Sequence, residues 1–358
     1  MALLFAGLVA CLFNIVLIPL IIFTAKKMDW YDQVNERKIH KGKIPRLGGI
    51  GIFVSFVASL IAVSVFSLSS AKDILGFWPI IIALVIVFAA GLVDDFKDLK
   101  ASIKFVFHLA AAIIVCAAGY RFSFVYIPWF GNLGLGGFSW LLTLVWIVGV
   151  INAMNMIDGM DGLSGGIGII SAFSIGVILL GRGMHTPALA AIVLLGALTG
   201  YLFYNFPPAK IFMGDSGSNL LGFILAILPL MGARDHGSLW FWNGITVLLL
   251  PVFDVFAAMI RRSRKGVDIM SPDNWHIHHK LLRLGLGTRG ILAVVYAWSM
   301  GLGAVAISSL YLPALAHWVL TIVSWSLLTV FFVILHFMKE HHLNEKGKTE
   351  EESAFCQP

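Results

Sequence analysis

The sequence predicts an all-α fold, a polytopic membrane bundle of about eleven spans. Three observations predict it: 59% of the 358 residues are apolar, only 12% are charged, and the mean hydropathy is +0.91. Soluble domains run at about 25% charged residues. These figures exclude a disordered chain, and three scattered cysteines exclude a disulfide framework. Long apolar stretches without alternation favour helices over an outer-membrane barrel. The net charge of +6 does not imply a nucleic-acid partner, because membrane proteins concentrate Lys and Arg in cytoplasmic loops.

A span needs about 20 apolar residues to cross the hydrocarbon layer. Apolar runs of that kind cover 2–24, 47–69, 77–93, 103–119, 138–151, 166–181, 187–204, 219–233, 239–260, 291–310 and 315–338, the fifth and sixth being short. Segments between them alternate between two sides. One side carries 21 of the 25 Lys and Arg, in 25–46, 94–104, 206–217, 261–290 and the tail; the other carries only Lys72, Arg121, Arg182 and Arg234. That asymmetry predicts an N-terminus outside and a cytoplasmic C-terminus. The expected organisation is a single catalytic membrane domain, 1–338. Its cytoplasmic loops are 25–46, 94–102, 152–165, 205–218 and 261–290, and a polar tail follows at 339–358.

Sixteen of the 19 acidic residues fall on the predicted cytoplasmic side, and six of them cluster at the ends of odd-numbered spans. The first cluster is Asp94-Asp95-Phe96-Lys97-Asp98. Neighbouring carboxylates resist joint ionisation unless a cation or solvent relieves them, so the cluster is either a cation site or a solvated helix end. The second runs from Asn152 through Asn155 and Asp158 to Asp161, a polar side chain every third residue, with Gly159 and Gly162 allowing a break. The third, Phe212-Met213-Gly214-Asp215-Ser216-Gly217-Ser218, enters the eighth span. A helix start there suits phosphate, through free N–H groups and the macrodipole.

Hard oxygen ligands together with phosphate are what Mg²⁺ uses, commonly with one or two protein carboxylates. Trp275-His276-Ile277-His278-His279 could suggest zinc, but no thiolate is near. With Arg261, Arg262, Arg264 and Lys265 before it, this loop is expected either to clamp anions or to anchor at the membrane surface. Asp254 lies inside the ninth span, where an acid serves function or a buried partner.

In order along 35–290, these strings resemble the polyprenyl-phosphate N-acetylhexosamine-1-phosphate transferases, glycosyltransferase family 4. The strings are Arg37-Lys38-Ile39-His40 with Ile44-Pro45-Arg46-Leu47-Gly48-Gly49, the Asp94-Asp95 block, and Asn152–Gly162. Asn205-Phe206-Pro207-Pro208-Ala209-Lys210-Ile211-Phe212-Met213-Gly214-Asp215 and His276-Ile277-His278-His279 complete the set. The histidine string is similar to the WecA/TagO-like bacterial branch, and the three consecutive histidines of the peptidoglycan branch are absent. The resemblance implies transfer of N-acetylglucosamine-1-phosphate from UDP-N-acetylglucosamine to undecaprenyl phosphate at the cytoplasmic face of a bacterial inner membrane, with release of UMP. Other UDP-N-acetylhexosamines, including UDP-MurNAc-pentapeptide, stay open, as does a homodimer. It implies catalytic roles for Asp94, Asp95, Asp158 and Asp161, and substrate contacts from Lys43, Asn205, Phe212, Arg261, Arg262, His276, His278 and His279. Mg²⁺, replaceable by Mn²⁺, is expected on Asp215 with Asn155 or Asp158.

The expected chemistry is phosphoryl transfer, in which charge neutralisation and alignment are the main tasks. Asp94 is expected to face the lipid phosphate with Asp95 supporting it. Direct attack is favoured over a phosphoryl-aspartate, because the acceptor is itself a good nucleophile. A transporter would carry ionisable groups near the midplane and internal repeats. Here the acids sit at one surface and no repeat is apparent.

Overall fold

The computed structural model describes residues 2–31, 44–65, 76–128, 130–236, 239–264, 266 and 275–355. The helices of these segments are α1 (Ala2–Lys27), α2 (Gly48–Val65), α3 (Trp78–Lys97), α4 (Ala101–Ala117), α5 (Phe138–Ile157), α6 (Leu163–Gly181) and α7 (His185–Asn205), followed by α8 (Gly214–His236), α9 (Leu239–Val247), α10 (Leu249–Arg264), α11 (Ile277–Arg283), α12 (Thr288–Ile307) and α13 (Ala314–Phe355). Over its described residues each predicted span coincides with helix, 66–69 of the second lying outside them, but the count changes. Among the described residues nine helices are long and apolar enough to cross a membrane, or ten if α9 and α10, bent by 76°, form one broken span. The fourth predicted span is α4, whose 17 residues reach only about 26 Å at 1.5 Å per residue.

Other boundaries move for local reasons. The fifth span continues to Ile157 because the polar positions Asn152 and Asn155 stay helical. The sixth begins at Leu163, after Gly162 turns the chain with φ 77°. Between α4 and α5 lies an unforeseen hairpin, β1 (Phe124–Ile127) against β2 (Gly131–Gly134), antiparallel with Val125 opposite Leu133. It is tied down by the Trp242 indole N–H, which donates to the Tyr126 carbonyl at 2.6 Å.

Helix α8 is the central pillar: 94% of its most apolar stretch is buried, against 28% for α13. Small residues bring its neighbours in, as expected where packing rather than solvent exclusion drives association. A Cβ on Gly49 of α2 would come within 2.2 Å of the Gly217 nitrogen. One on Gly91 of α3 would reach 2.6 Å from the Asp215 carbonyl oxygen, and one on Gly222 would reach 2.6 Å from the Ile151 Cα of α5. Alternation of the chain through this bundle gathers the starts of α2, α4, α6 and α8 with the ends of α3, α5 and α7. The three acidic clusters lie at those ends.

Candidate active site

The start of α8 organises the site. Gly214 adopts φ 73°, and a Cβ there would meet the Arg46 carbonyl oxygen at 2.4 Å and both Asp95 carboxylate oxygens at 2.7 Å. That close approach lets Asp95 cap the helix. Its Oδ1 accepts from the Asp215 N–H at 2.7 Å. Its Oδ2 accepts from the Ser216 N–H at 3.1 Å and the Ser216 hydroxyl at 2.5 Å. A carboxylate satisfying the orphan N–H groups of a first turn is favoured by hydrogen bonding and by the macrodipole. Asp95 was expected to support Asp94, whereas the structure has its side chain fully buried and spent on α8.

Asp94 and Asp215 are joined by a lysine. The Lys104 ammonium donates to Asp94 Oδ2 at 2.9 Å and to Asp215 Oδ2 at 2.8 Å. The Leu99 N–H holds the other Asp94 oxygen at 2.6 Å. Arg46 Nη2 donates to Asp215 Oδ1 at 2.9 Å and lies 4.0 Å from Asp95. Acids expected to repel one another are thus interleaved with two cations that were not assigned to the site. Lys104 could have been found as an ammonium one turn into an apolar helix, where charge needs a partner. Arg46 gave no comparable signal beyond its place in a resembling string.

The second cluster is drawn in beside the first but stabilised differently. Asp158 accepts a short hydrogen bond from the Ser164 hydroxyl. Burial lifts its carboxyl to about 7, moderated by that hydroxyl and by Arg46 and reinforced by the charges of Asp215 and Asp95. Asn155 donates to Ser218 Oγ at 2.9 Å. Asp161 Oδ2 accepts from the Ala209 N–H at 2.9 Å, which fixes the loop after α7.

Asn205 departs from its expected substrate contact. Its carbonyl accepts from the Gly162 N–H and its amide donates to the Ile211 carbonyl, both at 2.9 Å. It therefore staples the two loops from a buried position, with little left for a ligand. Phe212 is half-buried; its N–H donates to the Pro45 carbonyl at 2.8 Å and its own carbonyl accepts from the Gly48 N–H at 2.9 Å.

The histidine loop closes the site. Asp254 accepts from the Ile277 N–H at 2.9 Å and pairs with His276 Nδ1 at 2.8 Å, which gives this intramembrane acid its partner. His278 is buried against the second cluster: a Cβ on Gly159 would stand 2.8 Å from His278 Nε2. Burial lowers the His278 imidazole to about 3, with His279 and His276 adding to the shift. It is therefore neutral at physiological pH, so its part in the expected anion clamp is by hydrogen bonds. Its ring centroid lies 4.2 Å from that of His279. Arg261 and Arg262 end α10, Arg262 being buried. Lys43 and Lys265 lie outside the described residues.

The described residues do not gather three carboxylate, imidazole or thiolate groups around one ion position. Asn155 and Asp158, expected beside Asp215 as ligands, are engaged by Ser218 and Ser164. What the geometry does provide is two hard oxygens, from Asp94 and Asp215, converging on one cation position held by Lys104.

The candidate spans of the described residues, with carboxylates converging at one end of the helices, define a multi-pass membrane protein. A family model for glycosyl transferase family 4 matches residues 77–233. The chain is 33% identical over 338 residues to a Bacillus subtilis protein named "Probable undecaprenyl-phosphate N-acetylglucosaminyl 1-phosphate transferase", covering 93% of this chain and 89% of that one. It is 31% identical over 328 residues to the Escherichia coli "Undecaprenyl-phosphate alpha-N-acetylglucosaminyl 1-phosphate transferase", covering 88% and 85%. A Mycobacterium tuberculosis "Decaprenyl-phosphate N-acetylglucosaminephosphotransferase" is 33% identical over 290 residues, covering 74% and 72%. The chain belongs to glycosyl transferase family 4, as a membrane enzyme of the phospho-N-acetylhexosamine transferase kind.

Proposed function

We propose that this enzyme takes UDP-N-acetylglucosamine as donor and undecaprenyl phosphate as acceptor, at the cytoplasmic face of a bacterial inner membrane, and releases UMP. The observation that carries the reading is the Lys104 bridge between Asp94 and Asp215, with Arg46 on the far side of Asp215. Two anionic substrates repel, so a site that joins them must neutralise and orient them. The cytoplasmic assignment rests on the 21 of 25 Lys and Arg that fall on the same predicted side as these clusters. Undecaprenyl is preferred because the relatives named for it match over more of the chain than those named for decaprenyl.

The donor set suits Mg²⁺ held in its usual manner, by one or two carboxylates with substrate phosphates completing the shell. Asp215 and Asp94 would hold it in the cation position that Lys104 fills in the structure, the ammonium turning to the phosphates, and the ion would supply neutralisation of the diphosphate. Asp94 orients the acceptor phosphate, which needs little help from a base. With a second pKa of about 6, a phosphate monoester is already mostly dianionic at neutral pH. Lys104 offsets the charge gathered where the two phosphates meet, and Arg46 keeps Asp215 ionised and in place. Neutral His278, beside Gly159, donates or accepts a hydrogen bond, while His279 and the Arg261–Arg262 turn face the donor diphosphate. Attack is direct, from the acceptor oxygen onto the sugar-bearing phosphorus, with UMP leaving.

Purified protein given labelled UDP-N-acetylglucosamine, undecaprenyl phosphate and Mg²⁺ should release UMP only when all three are present. No release, under conditions where the Escherichia coli relative turns over, contradicts the reading. Competition between acceptors of 50 and 55 carbons decides the lipid, and UDP-MurNAc-pentapeptide tested as donor decides the sugar.

A further inference from the structure

One helical turn beneath the Lys104–Asp215 contact lie two buried polar side chains that the mechanism does not use. The inward stripe of α4 reads Lys104, His108, Ala111, Ala112 and Val115, an i, i+4, i+7 pattern that sets His108 directly under Lys104. On α8, Asn219 stands in the same relation to Asp215. Both helices start at the site and run away from it, and their first turns are joined at 2.8 Å. Each side chain therefore lies one turn, about 6 Å at 1.5 Å of rise per residue, further along its own helix than the residue that makes the bridge.

His108 is 2% exposed and Asn219 is 1% exposed. Both ring nitrogens of His108, and both the amide nitrogen and oxygen of Asn219, lack a hydrogen-bond partner among the described residues. The charges that act on the His108 ring are those of Lys104 and Asp215. A buried polar group without a partner costs about 1–3 kcal/mol, so these four atoms require something to satisfy them. Further anions are disfavoured beneath a carboxylate in an apolar layer. A neutral imidazole offers one donor and one acceptor, and a carboxamide offers two donors and an acceptor. Water is the smallest molecule that meets all of these, and buried waters typically make about three hydrogen bonds to such groups.

We propose that His108 and Asn219 form a buried water site which supports the Lys104–Asp215 bridge from below, making both of them positioning residues for transfer. The kinetic part of this rests on the proposed function; the water site itself does not. Solvent tightly held beneath Lys104 and Asp215 keeps both groups in place when the phosphates arrive.

The test has two arms. A structure of the full chain in lipid nanodiscs, at a resolution that reveals ordered water, should show density within hydrogen-bond distance of a His108 nitrogen and the Asn219 amide. Direct bonding of the two side chains to each other or to protein groups, with no water between, overturns the site. In turnover assays, His108→Leu should lower kcat at least tenfold with either KM changed less than twofold. His108→Gln, which can still hold water, should recover to within threefold of the unaltered enzyme. Asn219→Leu provides a second variant should His108→Leu fail to fold. Full kcat in the leucine variants, or a glutamine variant no better than leucine, overturns the positioning role. Inactivity of the unaltered enzyme bears instead on the proposed function and leaves the structural arm to decide the water site.

Discussion

The Asp254 carboxylate grips the histidine string at its first residue, pairing with His276 Nδ1 at 2.8 Å while capping Ile277 N–H at 2.9 Å. One acid thus starts α11 and turns the imidazole of His276. Asp254→Asn can still accept from Ile277, but it presents an N–H to His276 and so selects the other tautomer. A hydrogen bond to a charged group is worth about 1.5–3 kcal/mol, on the order of 10–100-fold in activity. The expected outcome is that fall in kcat/KM for the donor with little change in Tm. Asp254→Ala leaves both groups unsatisfied, at about 1–3 kcal/mol each, and should also lower Tm. Unaltered donor kinetics in Asp254→Asn would show that His276 needs no fixed tautomer.

Lys104 separates two carboxylates that otherwise face each other. Lys104→Met removes the cation and leaves the acids to share a proton or move apart. Turnover should drop at least a hundredfold, with Lys104→Arg partly active. A Lys104→Met enzyme within threefold of normal would remove the bridge from the account.

The adjacent acids Asp94 and Asp95 separate by readout. Asp95 caps α8 through three hydrogen bonds. Asp95→Asn turns one accepting oxygen into an N–H facing another donor, and should therefore reduce stability, by about 1–3 kcal/mol, as well as activity. Asp94→Asn should lose activity with its Tm close to normal. Equal thermal losses in the two variants would contradict this division.

His278 supplies a pH test. Its folded value of about 3 lies below the ordinary histidine value of about 6.5, so its contribution to stability is complete above 6.5 and declines as pH falls toward 3. The decline is about 1.4 kcal/mol per unit. Asp158, lifted to about 7, acts in the opposite sense, its contribution fading as pH rises through that value. Comparing the unaltered protein with His278→Asn isolates the histidine. From pH 7.5 to pH 5 the stability gap between them should move by about 2 kcal/mol against the unaltered protein. A gap constant with pH would mean that His278 is not held neutral by burial.

Much of this was legible in the residues, and the remainder was hidden for physical reasons. Apolar runs located every candidate membrane helix among the described residues, because burial in lipid leaves few other sequences that can span it. They could not reveal the 76° bend between α9 and α10, which falls inside one apolar run, or the hairpin joining β1 to β2. The acidic clusters announced the site, since charge at helix ends is conspicuous in a chain this apolar. Their division of labour was not legible. Asp94 and Asp95 are neighbours in sequence, yet one faces Lys104 and the other lies under α8, because successive helical residues point about 100° apart. Asn205 resembled a ligand contact and turned out to be a staple, since only coordinates show where both ends of an amide are spent. Lys104 was counted as a topological charge, and its reach to Asp215 depends on the packing of α4 and α8 around α3.

The central claim is that Asp215, cradled by Lys104 and Arg46, is where the two phosphates are brought together. UMP release by Asp215→Asn across a Mg²⁺ titration, with both substrates saturating, tests it most directly. Turnover should fall at least a thousandfold and lose its Mg²⁺ dependence, while the protein keeps its fold. An Asp215→Asn enzyme that works at near-normal rate with an unchanged Mg²⁺ response would contradict the account.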